Sequence, residues 1–329
     1  MKDITKKVLI GGGVLIASTM AASAVSYTIA KKLVGMALDR NHEIENSKTR
    51  VSGETGDEIF RKIRENAAET LEQYPSETVE ITAKDGIKLV GHWRTCDHAK
   101  RVLIAMHGWR SSWSKDFGLI ADFFYKNDCN VLYAEQRGQN NSGGEYMGFG
   151  LTERYDCLEW IKWVNAKGYE QLPVYLCGVS MGASTVLMTA GFELPENVRG
   201  VIADCGYTSP YEIWKHVAED NLHVSYDKWM SAIADEMCRD KIQFGSKDYS
   251  CTEALKDCSI PVLFIHGTDD RFVPVEMTYE NYKACASPKR LLIVPGAGHG
   301  MSYMIDRKQY EKTVKEFWEE FDRFDKITD

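Results

Sequence analysis

The stretch Val174-Tyr175-Leu176-Cys177-Gly178-Val179-Ser180-Met181-Gly182-Ala183-Ser184 passes from an apolar run into a cluster of small residues. It has the pattern of a buried strand, a sharp turn and the first turn of a helix. The turn reads Gly-x-Ser-x-Gly. A serine hydroxyl is a poor nucleophile, and such a corner exposes it beside a base and at the positive end of a helix. Gly178 and Gly182 suit the corner because a side chain at either place would crowd the facing strand or helix. The same pattern also occurs as a plain Gly-rich turn with a surface serine, so the neighbouring segments have to decide.

The composition narrows the choice. A chain of 329 residues, 44% hydrophobic and 27% charged, has material for one large α/β domain and an appendage. A net charge of −8 without a Lys/Arg cluster argues against a nucleic-acid surface and leaves small molecules as the expected partners. The nine cysteines form no Cys-x-x-Cys pair and their number is odd, so neither a zinc site nor a full disulfide framework is indicated. Small core residues are their expected role.

The N-terminal region divides into residues 1–7 as a tip, 8–30 as a membrane segment and 31–77 as a stalk with an amphipathic helix. Val8 to Ala30 carries no charge and as a helix would measure about 35 Å, enough to cross a bilayer. An uncleaved anchor is the first expectation. A cleaved signal ending near Ala22-Ser23-Ala24 is the second, and a buried or interfacial helix the third. Lysines flank both ends, so charge barely sets the orientation; the body is placed outside the cytoplasm, although the many thiols suit a reducing compartment. Ile59, Ile63, Ala67 and Leu71 recur every four residues and predict a helix over 57–73 whose apolar stripe packs on the body. Val79-Glu80-Ile81 and Ile87-Lys88-Leu89 then alternate around Asp85-Gly86 as a hairpin.

From there strand and helix patterns alternate, the signature of a mostly parallel sheet wrapped by helices. Strands are expected at 102–106, 130–134, 174–177, 201–203, 262–265 and 291–294. The main helices are expected at 117–125, 152–166, 181–191, 276–285 and 307–324. In such sheets the reactive groups gather beyond the carboxyl ends of the strands. His107-Gly108-Trp109 follows the first parallel strand, where a loop can supply an oxyanion donor; the backbone N–H groups of Trp109 and Met181 are the candidates. His107 itself is expected to pack the loop.

The candidate base is His299, in Pro295-Gly296-Ala297-Gly298-His299-Gly300 after the last strand. Those glycines lack the final spaced Gly of a dinucleotide loop. His266 precedes the acid loop and is expected to shape it, while His42, His92, His98, His216 and His223 have no comparable setting. The candidate acid is Asp270, in Gly267-Thr268-Asp269-Asp270-Arg271-Phe272-Val273-Pro274; Asp269 and Asp204 are the alternatives.

The chain order Ser180, Asp270, His299 is that of the α/β-hydrolases. From about Val79 to Phe321 the sequence resembles that superfamily, near its bacterial serine aminopeptidase-like and esterase branch. The resemblance rests on His107-Gly108, Glu135-Gln136-Arg137-Gly138 with Ser142-Gly143, the Gly178 to Gly182 turn, Gly267 to Pro274, and Gly298-His299. It implies an α/β-hydrolase fold over 78–329. One departure is visible: where relatives carry Asp-x-Arg-x-His-Gly-x-Ser, this chain has Glu135-Gln136-Arg137-Gly138-Gln139-Asn140-Asn141-Ser142.

The connection 206–259 is far longer than a crossover needs, so it is expected to form a helical lid over Ser180. Its aromatics, among them Tyr207, Trp214, Tyr226 and Trp229, line an acyl or aryl pocket or pack the lid on the sheet. Its carboxylates Asp220, Asp227, Asp235 and Glu236 bind a substrate amine or face solvent.

The expected activity is cleavage of carboxylic esters through an acyl-enzyme. In it His299 takes the proton of Ser180, Asp270 holds the imidazole, and the N–H groups of Met181 and Trp109 bind the oxyanion. No metal or organic cofactor is called for. A peptidase using the same residues, and a non-catalytic membrane-tethered scaffold, are the alternatives. The expected partners are a small ester or short peptide and a membrane, with no nucleic acid; the sequence sets no oligomeric state.

Overall fold

The computed structural model describes residues 25–42 and 58–322. Eight strands form one sheet in the order β1-β2-β4-β3-β5-β6-β7-β8. They are β1 (Glu77–Thr82), β2 (Lys88–Arg94), β3 (Arg101–Met106), β4 (Cys129–Ala134), β5 (Val174–Val179), β6 (Val198–Asp204), β7 (Val262–Gly267) and β8 (Lys289–Val294). β1 and β2 make the expected antiparallel hairpin, with Gly86 at φ 85° in its turn. β2 pairs antiparallel with β4, and every pairing from β4 through β8 is parallel.

Residues of β3 are buried on both faces and divide by parity. Val102, Ile104 and Met106 enter one core layer, Leu103 and Ala105 the other. The first layer receives helices Glu153–Val164 and Met181–Thr189. The second receives Phe123, Phe124 and the C-terminal helix Arg307–Phe321, where Phe123 stacks on Trp318 at 5.5 Å. The chain leaves β3 for β4 on one side and returns to β5 on the other, so the strand order reverses between β3 and β5. Ligands of open parallel sheets bind beyond the carboxyl ends of the strands at that point, and His107 and Ser180 stand there.

Three expectations change. The helix expected at 117–125 is two, Trp113–Phe117 and Ala121–Lys126, broken at Gly118. A Cβ on Gly118 would lie 2.6 Å from the Ala67 backbone, so this glycine admits the helix Glu58–Gln73. That helix forms where expected, but of the expected stripe only Leu71 is buried. Ile59 and Ile63 are exposed, and only Ala68 and Leu71 are buried. Polar contacts hold it instead: Arg64 pairs with Asp116 at 3.1 Å, Ser114 donates to Glu72 at 2.6 Å, and Tyr74 donates to Asp122 at 2.8 Å.

Residues 31–38 are not a stalk. They continue a helix over 25–38 that lies on the body, with Ala30, Val34 and Leu38 buried in the main core layer. The membrane segment assigned to 8–30 lies outside the described residues up to 24, and its last turn belongs to this packed helix. Among the described residues no helix is long and apolar enough to cross a membrane. The connection 206–259, expected to form a lid, carries the helices Pro210–His216, Lys228–Ile242 and Cys251–Asp257.

Candidate active site

Ser180 sits at φ 55°, ψ −118°, between the end of β5 and the helix Met181–Thr189. A residue with a side chain is held at positive φ only when its surroundings over-determine it, and here two glycines do so. A Cβ on Gly178 would meet Gly182 O at 2.2 Å, and one on Gly182 would meet Met106 O at 1.9 Å. Strand and helix therefore approach as closely as backbones can, and the serine is forced outward. Its own N–H donates to Asp204 O at 2.8 Å.

The three candidate residues meet. Ser180 Oγ lies 2.8 Å from His299 Nε2, and His299 Nδ1 lies 2.7 Å from Asp270 Oδ2. The loops carrying the acid and the base are stitched together, with Thr268 N–H donating to Val294 O at 3.0 Å and Asp269 N–H to Ala297 O at 2.9 Å. Gly267 permits this contact, since a Cβ there would lie 2.1 Å from Ala297 O. The alternative acids are elsewhere. Asp269 is exposed beside Thr268, and Asp204 is buried against Ser302, its carboxyl pushed up to about 6 by burial.

Asp270 is fully enclosed and well supplied with donors. The N–H groups of Phe272 and Val273 reach Oδ1 at 2.9 and 2.8 Å. His266 Nε2 lies 3.0 Å from Oδ2 and 2.9 Å from Val273 O, while its Nδ1 accepts from the Thr278 hydroxyl at 2.6 Å. Burial opposes the Asp270 charge, but the neighbouring His299 and the hydrogen bonds from both histidines outweigh it and hold the carboxyl well below its usual range. For His299, burial opposes the charged ring and the Asp270 charge raises it, leaving the ring well above its ordinary 6.5. The sequence places His266 beside this loop; that it grips the same carboxylate oxygen as His299 has no signal in the chain.

The buried Cys205 thiol also faces this pair. One donor atom each from Cys205, Asp270 and His299 lie within 4.8 Å of one another. Burial pushes the thiol up to about 11, so it is protonated at neutral pH, and the carboxylate is already engaged by the two histidines. All nine cysteines are free, and eight of them are buried as expected of core residues.

Met181 opens its helix directly after Ser180, so its backbone N–H has no partner within that helix. On the other side, a Cβ added to Gly108 would be 3.3 Å from Ser180 Cβ, which brings the loop of Trp109 against Ser180. Asp116 accepts from Gly108 N–H at 2.6 Å and from Ser111 Oγ at 2.7 Å, fixing the loop. His107 is buried and neutral, burial lowering its ring. Its Nδ1 donates to Gly108 O at 2.8 Å and its Nε2 accepts from Gln136 N–H at 3.1 Å. The altered loop 135–142 also braces this region. Asn140 Nδ2 donates to Ser111 O at 3.0 Å, and Arg137 is locked to Asp156 and Asp85.

Helix 25–38 completes the surround. Trp109 Nε1 donates to Ala37 O at 2.8 Å, and Arg110 Nη2 donates to Met36 O at 3.0 Å and Asp39 O at 2.5 Å. The lid contributes packing more than charge. Tyr207 is buried with its hydroxyl on Phe149 O at 2.9 Å, Asp227 caps its helix, and Asp235 accepts from Ser246 N–H. Trp229 faces solvent.

Among curated proteins, the uncharacterised YqkD of Bacillus subtilis (strain 168) is 26% identical over 273 residues, covering 81% of this chain and 88% of YqkD. Among solved structures, the Pyrococcus furiosus esterase Pf2001 superposes with a TM-score of 0.64 at 21% identity, over 77% of this chain and 94% of that one. The Pyrococcus horikoshii acylaminoacyl peptidase does so with a TM-score of 0.58 at 15% identity, over 81% of this chain and 45% of that one. These two likenesses show the α/β-hydrolase fold. Residues 115–322, well over half of the chain and including Ser180, Asp270 and His299, match the model of the prolyl oligopeptidase family. The chain is therefore a hydrolase of the α/β-hydrolase superfamily and belongs to the prolyl oligopeptidase family.

Proposed function

We propose that the protein hydrolyses carboxylic esters through an acyl-enzyme formed on Ser180. The observation that carries this is the unbroken chain of contacts from Ser180 Oγ through His299 to Asp270, at 2.8 and 2.7 Å. In the proposed cycle His299 Nε2 takes the hydroxyl proton as Ser180 Oγ attacks the carbonyl carbon. The Met181 and Trp109 N–H groups hold the oxyanion, and the proton passes to the leaving alcohol. Water, deprotonated by the same ring, then adds to the acyl carbon; the carbon–Oγ bond breaks, the ring returns its proton to Ser180 Oγ, and the acid leaves.

An ester is favoured over a free peptide terminus by the lid, whose Asp227 and Asp235 are spent on backbone N–H groups. Family membership supports a second substrate, a short peptide. The uncharged run Val8 to Ala30 supports a membrane anchor whose last residues enter helix 25–38, and we propose the body outside the cytoplasm, the usual side for a lone N-terminal anchor. Hydrolysis of p-nitrophenyl esters and of free and N-acylated aminoacyl-anilides, with Ser180→Ala as control, tests the activity. Serine-dependent ester turnover without anilide cleavage is expected, and anilide cleavage of equal efficiency would move the assignment to a peptidase. A tag at residue 1, probed for protease protection in intact cells and membrane vesicles, tests the anchor and its side.

A further inference from the structure

The helices Cys251–Asp257 and Val275–Ala284 each end on a cysteine. Cys258 and Cys285 are their C-caps, both in extended backbone, at φ −66°, ψ 125° and φ −64°, ψ 122°. The two helix ends are tied together, with Ala286 N–H donating to Leu255 O at 2.9 Å. One hydroxyl joins the sulfurs: Ser287 Oγ donates to Cys258 Sγ at 3.5 Å and lies 3.2 Å from Cys285 Sγ. The two thiols are also hydrogen-bonded to each other. Both residues are buried.

A disulfide needs two cysteines whose side chains converge, and here each sulfur is the other's neighbour. The surroundings also make the two unequal. The hydrogen bond from Cys258, helped by Ser287 and the Lys289 charge, holds the Cys285 thiol below its ordinary range, while its own bond to Cys285 and burial raise Cys258. Lys289 is fixed in place, its Nζ donating to Cys285 O at 2.7 Å. Cys285 therefore supplies the attacking thiolate and Cys258 the resolving thiol. Other core cysteines are engaged differently: the Cys251 thiol donates to Ser184 O at 3.5 Å, and Arg101 donates to Cys129 Sγ at 3.7 Å.

We propose that Cys258 and Cys285 form a disulfide, an oxidative modification that closes the chain over residues 258–285. The enclosed segment holds β7, His266 and Asp270, so the cross-link bounds the part of the chain that carries the acid. The oxidant is a low-molecular-weight disulfide. The Cys285 thiolate attacks one of its sulfurs, breaking that S–S bond and expelling one small thiolate. Cys258, losing its proton, then attacks Cys285 Sγ and expels the second. Two protein thiols are oxidised and the reagent is reduced to two thiols. Burial places this reaction in the folding chain or in a local opening, before the two helix ends close. Outside the cytoplasm, where the body is proposed to lie, such a bond persists. The pairing is independent of the chemistry at Ser180.

The test refolds the full chain from denaturant in a mixture of reduced and oxidised glutathione, where every thiol is accessible and wrong pairs reshuffle. A second arm holds the folded protein in the same mixture with urea below its unfolding transition. After alkylation and trypsin, both arms should yield the peptide 257–271 joined to the peptide 284–289, with the other cysteines alkylated. The linked protein should melt about 5 °C above its dithiothreitol-reduced form, because the closed loop restricts the unfolded chain. Cys258→Ser and Cys285→Ser should each remove the joined peptide, and Cys96→Ser, outside the pair, should keep it. Absence of that peptide from both arms, glutathione left on Cys285, or a linked protein that melts no higher than the reduced one overturns the pairing.

Discussion

His266 Nε2 lies 3.0 Å from Asp270 Oδ2, the oxygen that His299 Nδ1 meets at 2.7 Å. The carboxylate is thus shared between a histidine that faces Ser180 and one sealed in the core. In the proposed mechanism His266 acts through Asp270, as a positioning residue. His266→Ala should lower kcat about 10- to 100-fold with little change in KM. With one donor fewer on its carboxylate, Asp270 should hold the His299 proton more firmly and move the acid limb of the pH profile upward. An unshifted limb would reduce His266 to packing.

The pH profile of the native protein follows from His299. Its ring is raised well above 6.5 because the Asp270 charge outweighs burial, and a general base must be neutral. Measured kcat/KM should therefore climb with pH through an inflection above 6.5. Asp270→Asn removes the raising charge, so the inflection should fall while turnover drops about 10⁴-fold.

Ser180→Ala should reduce turnover by about 10⁶-fold, because nucleophile and base act as one unit. The backbone at φ 55° adds a stability signature. Ser180→Gly relieves the strain that alanine retains, so the glycine variant should be more stable than the alanine variant by about 1 kcal/mol in chemical denaturation.

Gly182→Ala should be far worse than either, since its methyl would meet Met106 O at 1.9 Å in a closely packed corner. A loss of about 3 kcal/mol or more in cooperative unfolding is expected. A well-folded Gly182→Ala protein would show that the corner is looser than described.

Truncations separate the two parts of the N-terminal region. Removing residues 1–24 should leave the melting temperature of the body unchanged. Removing residues 1–42 takes away Ala30, Val34 and Leu38 with the Ala37 acceptor of Trp109, and should lower both the melting temperature and kcat. Equal behaviour of the two truncations would mean that helix 25–38 is dispensable.

The parallel strands and the meeting of Ser180, Asp270 and His299 were legible because each depends on local pattern. Buried strands read as apolar runs, and residues after strand ends converge by topology. What escaped was set by long-range polar contact. The stripe Ile59-Ile63 has helical period, yet the helix docks through Arg64, Glu72 and Tyr74, whose partners Asp116, Ser114 and Asp122 are 42 to 52 positions away. Residues 31–38 read as a polar stalk because their outward lysines mask a narrow buried face of Val34 and Leu38. His266 looked like a turn residue because its bond to Asp270 is made by the fold.

The fastening of helix 25–38 has a metric consequence. Asp39 pairs with Lys241 of the lid at 2.9 Å, Arg40 donates to Ser142 O at 2.7 Å, and Met147 N–H donates to Leu38 O at 2.9 Å. A helix clamped at its end is a ruler: at 1.5 Å per residue, Ala37 stands about 18 Å from Val25 along the axis. A coil would be a leash of variable reach, but this segment holds the Trp109 loop, bonded to Ala37 O, at a set distance and bearing from Val25.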